Sequence, residues 1–321
     1  MESIMETVVA LLSSHTFRIV SFGTATIGAV AGVLGCFAYL QHRSLTGSVV
    51  AHSTLSGIML AFLISYRLTG QGSTNIAVLL PGAMVTGVAS MFVAQAIVRK
   101  SMIRIDTAMA VSMSLFFGAG FFLLRIINVN AIPGRSGLAE FLFGQAALIT
   151  WRDLSAILIL AAIAIGITIL LWKEFTGVVF DSTFLASLGF KTRFIENLLL
   201  MSIVLTIVLG LKSVGVILIV ALLIAPAAAA RQWTKRVSTM AMLSAAFGAA
   251  SGIGGSTRSA IYTGLPSGPV IVILATRRTF MSILAAPKRG IIARLVHSAR
   301  NRARFRKLLR LRHPRVGGDK I

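Results

Sequence analysis

Long apolar runs without a charge constrain this chain more than any other feature. They recur near residues 19–41, 48–66, 76–98, 107–124, 154–172, 197–211, 213–230, 237–257 and 259–276. A helical run of about 18 or more such residues crosses a hydrocarbon core of roughly 30 Å. The runs are continuous and do not alternate, which argues against a barrel. Only 12% of residues are charged, against about 25% in an ordinary soluble domain. The expected fold class is all-α: a polytopic integral membrane protein with eight or nine transmembrane helices. The weakest division lies between the sixth and seventh runs, where only Lys212 and Ser213 interrupt the apolar stretch. Ten crossings is the outer reading.

The positive charge sets an orientation. Arg43, the group Arg99, Lys100 and Arg104, the group Lys173, Lys191 and Arg193, and the group Arg231, Lys235 and Arg236 follow alternate runs. All share one side, which the positive-inside rule makes cytoplasmic. The N-terminus is then outside and the C-terminus inside. From Arg277 to Ile321 the chain holds 14 of its 31 Lys and Arg against one acid, Asp319. Residues 1–286 therefore read as a transmembrane domain and 287–321 as a basic cytoplasmic tail. The tail is partly amphipathic and is expected to bind anionic lipids, not nucleic acid. Residues 1–16 carry Glu2 and Glu6 and read as a short helix on the membrane surface, not a cleavable signal.

The last run is irregular. Gly264, Pro266, Gly268 and Pro269 break it, and Arg277 and Arg278 follow within ten residues. Either the span starts before the break or these arginines snorkel to the interface. Gly28 and Gly32, like Gly248 and Gly252, place small faces one turn apart, suited to close helix packing inside the molecule. The single cysteine, Cys36, excludes an intrachain disulfide and reads as a small packed residue.

His52 is the only histidine inside a predicted span. An ionisable group there marks a candidate transport pathway, and imidazole is a metal ligand. Ser48 stands four residues earlier, on the same helix face. The intramembrane methionines, Met59, Met84, Met109 and Met113, read as packing. No phosphate-binding loop, nucleotide fingerprint, catalytic triad or HExxH motif is present. No acidic relay crosses the membrane. The chain is expected to be no enzyme, with any energy source in another subunit.

Four distinct stretches stand in series. They are 43–57 around Ser48 and His52; Asp106–Val111; Glu140–Gly144 with Ile149, Thr150, Asp153 and Leu154; and 180–189 followed by Val214–Leu218, Leu223–Ala229 and Leu265–Pro269. Together they resemble the permease subunits of ATP-binding-cassette importers for manganese, zinc and iron. The resemblance implies an ATP-driven importer of Mn²⁺, Zn²⁺ or Fe²⁺ as cargo, with no permanently bound cofactor. It implies alternating access at a permease dimer, homo- or heterodimeric, in a bacterial inner membrane. It also implies ATPase subunits on the cytoplasmic side and a metal-binding protein outside.

By the same resemblance, residues 180–189 form the coupling helix that docks on the ATPase. Asp181 and Ser182 are suited to cap its start. Phe180, Phe184, Leu185 and Leu188 give an apolar face, and Gly189 is suited to end it. In this family an Asp and a His in the first motif line the metal path. Here His52 keeps the histidine position, but Ser48 replaces the aspartate, Ala51 a serine and Ser56 a proline. Three readings stay open. His52 contacts the metal alone or with a partner's residue; this chain is the degenerate half of a heterodimer; or His52 only hydrogen-bonds a backbone carbonyl or Ser48. An ATP-independent carrier and a permease for siderophore- or cobalamin-type chelates are the competing functions.

Overall fold

The computed structural model describes residues 14–41, 44–138, 140–262, 265–286 and 290. Residues 1–13 and nearly all of the basic tail, 291–321, lie outside the described residues. His15 and Thr16, expected on the membrane surface, instead open the first span behind Ser14, whose hydroxyl accepts a bond from Phe17 N at 3.2 Å.

In chain order the helices are α1 (His15–Leu40), α2 (Ser44–Thr69), α3 (Ile76–Lys100), α4 (Ile105–Val129), α5 (Glu140–Phe143), α6 (Trp151–Leu170), α7 (Trp172–Ser187), α8 (Thr192–Val214), α9 (Val216–Arg231), α10 (Val237–Ile261) and α11 (Ser267–Ala285). A single 3₁₀ turn, Ala146–Leu148, precedes α6. No strand occurs among the described residues. Among the described residues, eight helices are long and apolar enough to cross a membrane: α1–α4, α6, α8, α10 and α11. The ninth expected crossing is α9, which has only 16 residues. A straight helix of that length reaches about 24 Å, short of the hydrocarbon core.

Packing follows the small residues. α1 and α10 form the most extensive helix pair. A Cβ on Gly28 would strike the Gly248 carbonyl, one on Gly32 would strike that of Ser244, and one on Gly252 would strike that of Thr24. These pairings run antiparallel along one seam, so the two Gly-x-x-x-Gly patterns serve each other within one chain. Gly57 and Gly82 do the same for α2 and α3. In a membrane, where lipid tails compete equally for apolar side chains, such close backbone approach supplies the dispersion contacts that hold helices together. Cys36 is buried beside Ala227, Ala230, Met240 and Ala241. α8 touches α1, α2, α3, α6, α7, α9 and α11 and forms the hub.

Two boundaries differ from expectation. The break after the sixth run lies at Gly215, whose φ of 89° caps α8 and opens α9, not at Lys212. The last span starts inside the break, at Ser267, with Gly268 and Pro269 in its first turn, and runs through both arginines. Arg278 does not snorkel: its guanidinium donates to Phe247 O at 3.2 Å and Ser251 Oγ at 2.9 Å on α10. These acceptors offset part of the cost of a cation at that depth.

Candidate metal path and coupling segment

His52 lies in the third turn of α2 and is half-buried. Its Nδ1 sits 2.8 Å from the carbonyl oxygen of Ser48, one turn earlier. A carbonyl can only accept, so this bond places the proton on Nδ1 and leaves the Nε2 lone pair for a ligand. Metal-binding histidines are commonly oriented in this way. The Ser48 hydroxyl lies 3.5 Å from the same Nδ1 and donates to Met113 Sδ at 3.6 Å.

The opposite wall is α4. Phe117 meets the His52 ring edge to face, with centroids 4.8 Å apart, and Phe121 stacks on Phe117 in the same manner at 4.8 Å. The helices approach because Gly120 has no Cβ; one there would lie 2.9 Å from Leu55 Cγ and from Ser56 N. Ser56, in place of the family's proline, is buried and donates to Ser53 O at 2.8 Å, so α2 continues unbroken past His52. The sequence brought Ser48 and His52 together correctly. It did not place Met113 and Phe117 beside them, because they arrive from another helix. The available signal was the four-residue spacing of Met109, Met113, Phe117 and Phe121, one row along α4.

The side chains around His52 supply one imidazole, one hydroxyl and one thioether. No group of three or more His, Cys, Asp or Glu side chains suited to a metal occurs among the described residues. A metal ion held here would have one strong ligand, the imidazole, and would need the rest from elsewhere.

Residues 180–189 form a distinct element. α7 kinks at Asp181, whose φ of −153° and ψ of 91° are not helical. Asp181 Oδ1 accepts from Phe184 N at 2.8 Å, so Asp181 caps the piece that follows, while Ser182 is its first residue. The piece ends in a Schellman motif: Gly189, with φ of 85°, donates to Ala186 O at 3.0 Å, and Phe190 N donates to Leu185 O at 3.3 Å. Leu185 is buried against Gly177, where a Cβ would meet its Cδ1 at 3.0 Å. Phe180, Phe184 and Leu188 are 61%, 59% and 58% exposed. The expected apolar face thus divides: Leu185 anchors the segment and the other three point away from the chain.

Two of the other stretches serve the backbone. Thr150 and Asp153 form a capping box at the start of α6, with Thr150 N donating to Asp153 Oδ2 at 2.9 Å. Gly144, with φ of 71°, lies where a Cβ would strike Val214 and Gly215. Asp106 sits in the first turn of α4, where its charge complements the helix dipole.

A sequence profile described as "ABC 3 transport family" matches residues 14–286. The chain is 40% identical over 282 residues to the manganese transport system membrane protein MntC of Bacillus subtilis, covering 88% of this chain and 63% of that protein. It therefore spans somewhat less than two thirds of that relative. It is 40% identical over 292 residues to the zinc transport system membrane protein TroC of Treponema pallidum, covering 91% of this chain and 96% of that one. Among solved structures it is similar to PsaBC from Streptococcus pneumoniae in complex with a Fab, with a TM-score of 0.78, 28% identity, and 89% and 97% of the two chains covered. Profile, relatives and fold agree, and this multi-pass membrane protein belongs to the ABC 3 transport family.

Proposed function

We propose that this chain is the permease subunit of an ATP-driven importer of a divalent transition metal ion, with Mn²⁺ and Zn²⁺ the first ions to test. The observation that carries the reading is the orientation of His52. Its Nδ1 is held by Ser48 O, and its ring sits between α2 and the outer helix α4. Imidazole suits Zn²⁺ and similar borderline ions, whereas Mn²⁺ prefers carboxylate and carbonyl oxygen. Ser48 in place of a carboxylate weakens the harder half of the site. A second permease, either another copy or a different chain that keeps the aspartate, completes it across the α4 face.

Transport needs no covalent step on this chain. The path alternates between outward and inward access as a bound ATPase moves the coupling segment. Phe180, Phe184 and Leu188 enter the ATPase groove, and buried Leu185 transmits the motion to α7. In the positive-inside orientation this segment is cytoplasmic, a metal-binding protein docks on the opposite end, and the basic tail meets the anionic inner leaflet.

The direct test is uptake of ⁵⁴Mn²⁺ and ⁶⁵Zn²⁺ into vesicles holding the permease with its ATPase. ATP-dependent uptake of the free ion is expected. Full uptake by the isolated chain without ATP would establish a secondary carrier, and uptake of a chelate in preference to free ions would establish a chelate permease. Phe184→Asp is expected to abolish ATPase copurification while leaving the permease's melting temperature unchanged.

A further inference from the structure

A second polar site lies apart from His52. A cavity of about 220 Å³ is lined by Gln41 at the end of α1, Thr46 at the start of α2, Gln95 in the last turns of α3, and Glu196 and Asn197 near the start of α8. Its remaining wall is α7 on both sides of the Asp181 kink, Val178–Phe180 and then Ser182, with the apolar side chains of Met91 on α3 and of Leu200 and Ile203 on α8. Such a cavity in a helix bundle is more often apolar or sealed by internal hydrogen bonds.

This one is neither. Among the described residues the side chains of Gln41, Gln95, Ser182, Glu196 and Asn197 make no hydrogen bond or ion pair. Glu196 does not pair with Arg193, three residues earlier on the same helix. Thr46 is 5% exposed, and its Oγ1 has no partner. A buried hydroxyl left unpaired costs roughly 1–3 kcal/mol. Its position on the cavity wall points to a ligand that donates to it or accepts from it.

Apart from the Met91 thioether, the donors are one carboxylate, three carboxamides and two hydroxyls. All offer hard oxygen, the ligand set of Mg²⁺ and Mn²⁺, which keep several waters beside one or two carboxylates. The volume accommodates a cation with part of its hydration shell. Thr46 is six residues from His52, so the two lie about 120° apart around α2 and roughly 9 Å apart along it. Thr46 and Ser48 face nearly opposite directions. The cavity is therefore not a continuation of the His52 face.

We propose that this cavity is a separate site for a partly hydrated divalent cation, and that the bound ion braces the coupling segment. Glu196 supplies the charge; Gln41, Gln95, Asn197, Ser182 and Thr46 bind the ion directly or through its waters. Because the walls include α7 before and after its kink, the ion joins the coupling segment to α2, α3 and α8. The choice of Mn²⁺ as probe rests on the importer reading; the existence of the site does not.

The test uses the full chain in nanodiscs. Mn²⁺ is titrated while the free ion is followed by its six-line electron paramagnetic resonance signal, and hydrogen exchange is read over residues 178–190. Exchange over that peptide is expected to slow when Mn²⁺ is added, in the wild type and in a His52→Ala background. Glu196→Gln is expected to weaken binding at least tenfold and to remove the protection. Gln95→Leu provides the same readout should Glu196→Gln fail to fold. Wild-type binding in a correctly folded Glu196→Gln protein would overturn the site. Binding without slower exchange would overturn the brace. Loss of that protection in His52→Ala would merge this site with the path. Failure of metal uptake, by contrast, would break the importer reading and leave these outcomes intact.

Discussion

α1 and α4 are spans of nearly the same length and mean hydropathy, yet 67% of the most apolar stretch of α1 is buried and only 17% of that of α4. Hydropathy places both in the membrane and cannot tell them apart. Side-chain size can. α1 carries Gly28, Gly32 and Gly35 along faces that meet other backbones. α4 carries Phe116, Phe117, Phe121 and Phe122 and, among the described residues, packs mainly on α2 and α3. A small-residue helix is drawn inward because backbones can approach it. A large aromatic helix stays at the edge, where lipid or a second permease covers it. The candidate metal path opens on that edge, beside the row Met113, Phe117 and Phe121.

The comparison breaks most visibly on α1. Gly28→Leu forces side-chain atoms into the Gly248 backbone, which has no room to move. Overpacking of this kind costs about 1–3 kcal/mol or more, and monodisperse permease is expected to be lost in size-exclusion chromatography. Next comes α4. Leu115 is 61% exposed, and a single cysteine there in a Cys36→Ala background tests what covers it. Oxidative cross-linking to a second permease in native membranes is expected at Leu115 or at neighbouring Val111 or Phe122. Its absence at all three would give this face to lipid. The smallest effect is Leu115→Ala, expected to change stability by no more than ~0.5 kcal/mol in a thermal melt of the isolated chain. A large loss would mean that α4 is held within one chain after all.

The same contrast explains what was legible in the sequence. Spans could be read because each apolar run must satisfy its own backbone hydrogen bonds as a helix. The short capped helix after Asp181 could be read because Asp181 and Gly189 carry local capping chemistry, and local bonds follow from spacing. Arg278 could not be placed, since its acceptors, Phe247 O and Ser251 Oγ, lie on α10. The break at Gly215 was misplaced at Lys212 because a charge looked like a stronger interruption than a glycine in an apolar run. His52 and Ser48 were paired by helical spacing, whereas Met113 and Phe117 reach them only through helix packing permitted by Gly120. The unpaired Thr46 hydroxyl is likewise a property of packing, invisible in a string of residues.

The central claim is that cargo metal passes the exposed face between α2 and α4 at His52. The most direct measurement is initial-rate uptake of ⁵⁴Mn²⁺ and ⁶⁵Zn²⁺ at limiting metal by wild-type and His52→Ala permease, each assembled with its ATPase. The account predicts a fall of roughly tenfold or more, the scale on which metal-site contacts act, with assembly and ATPase capture unchanged. Uptake equal to wild type in a fully assembled His52→Ala complex would contradict it and leave His52 with its backbone hydrogen bond alone.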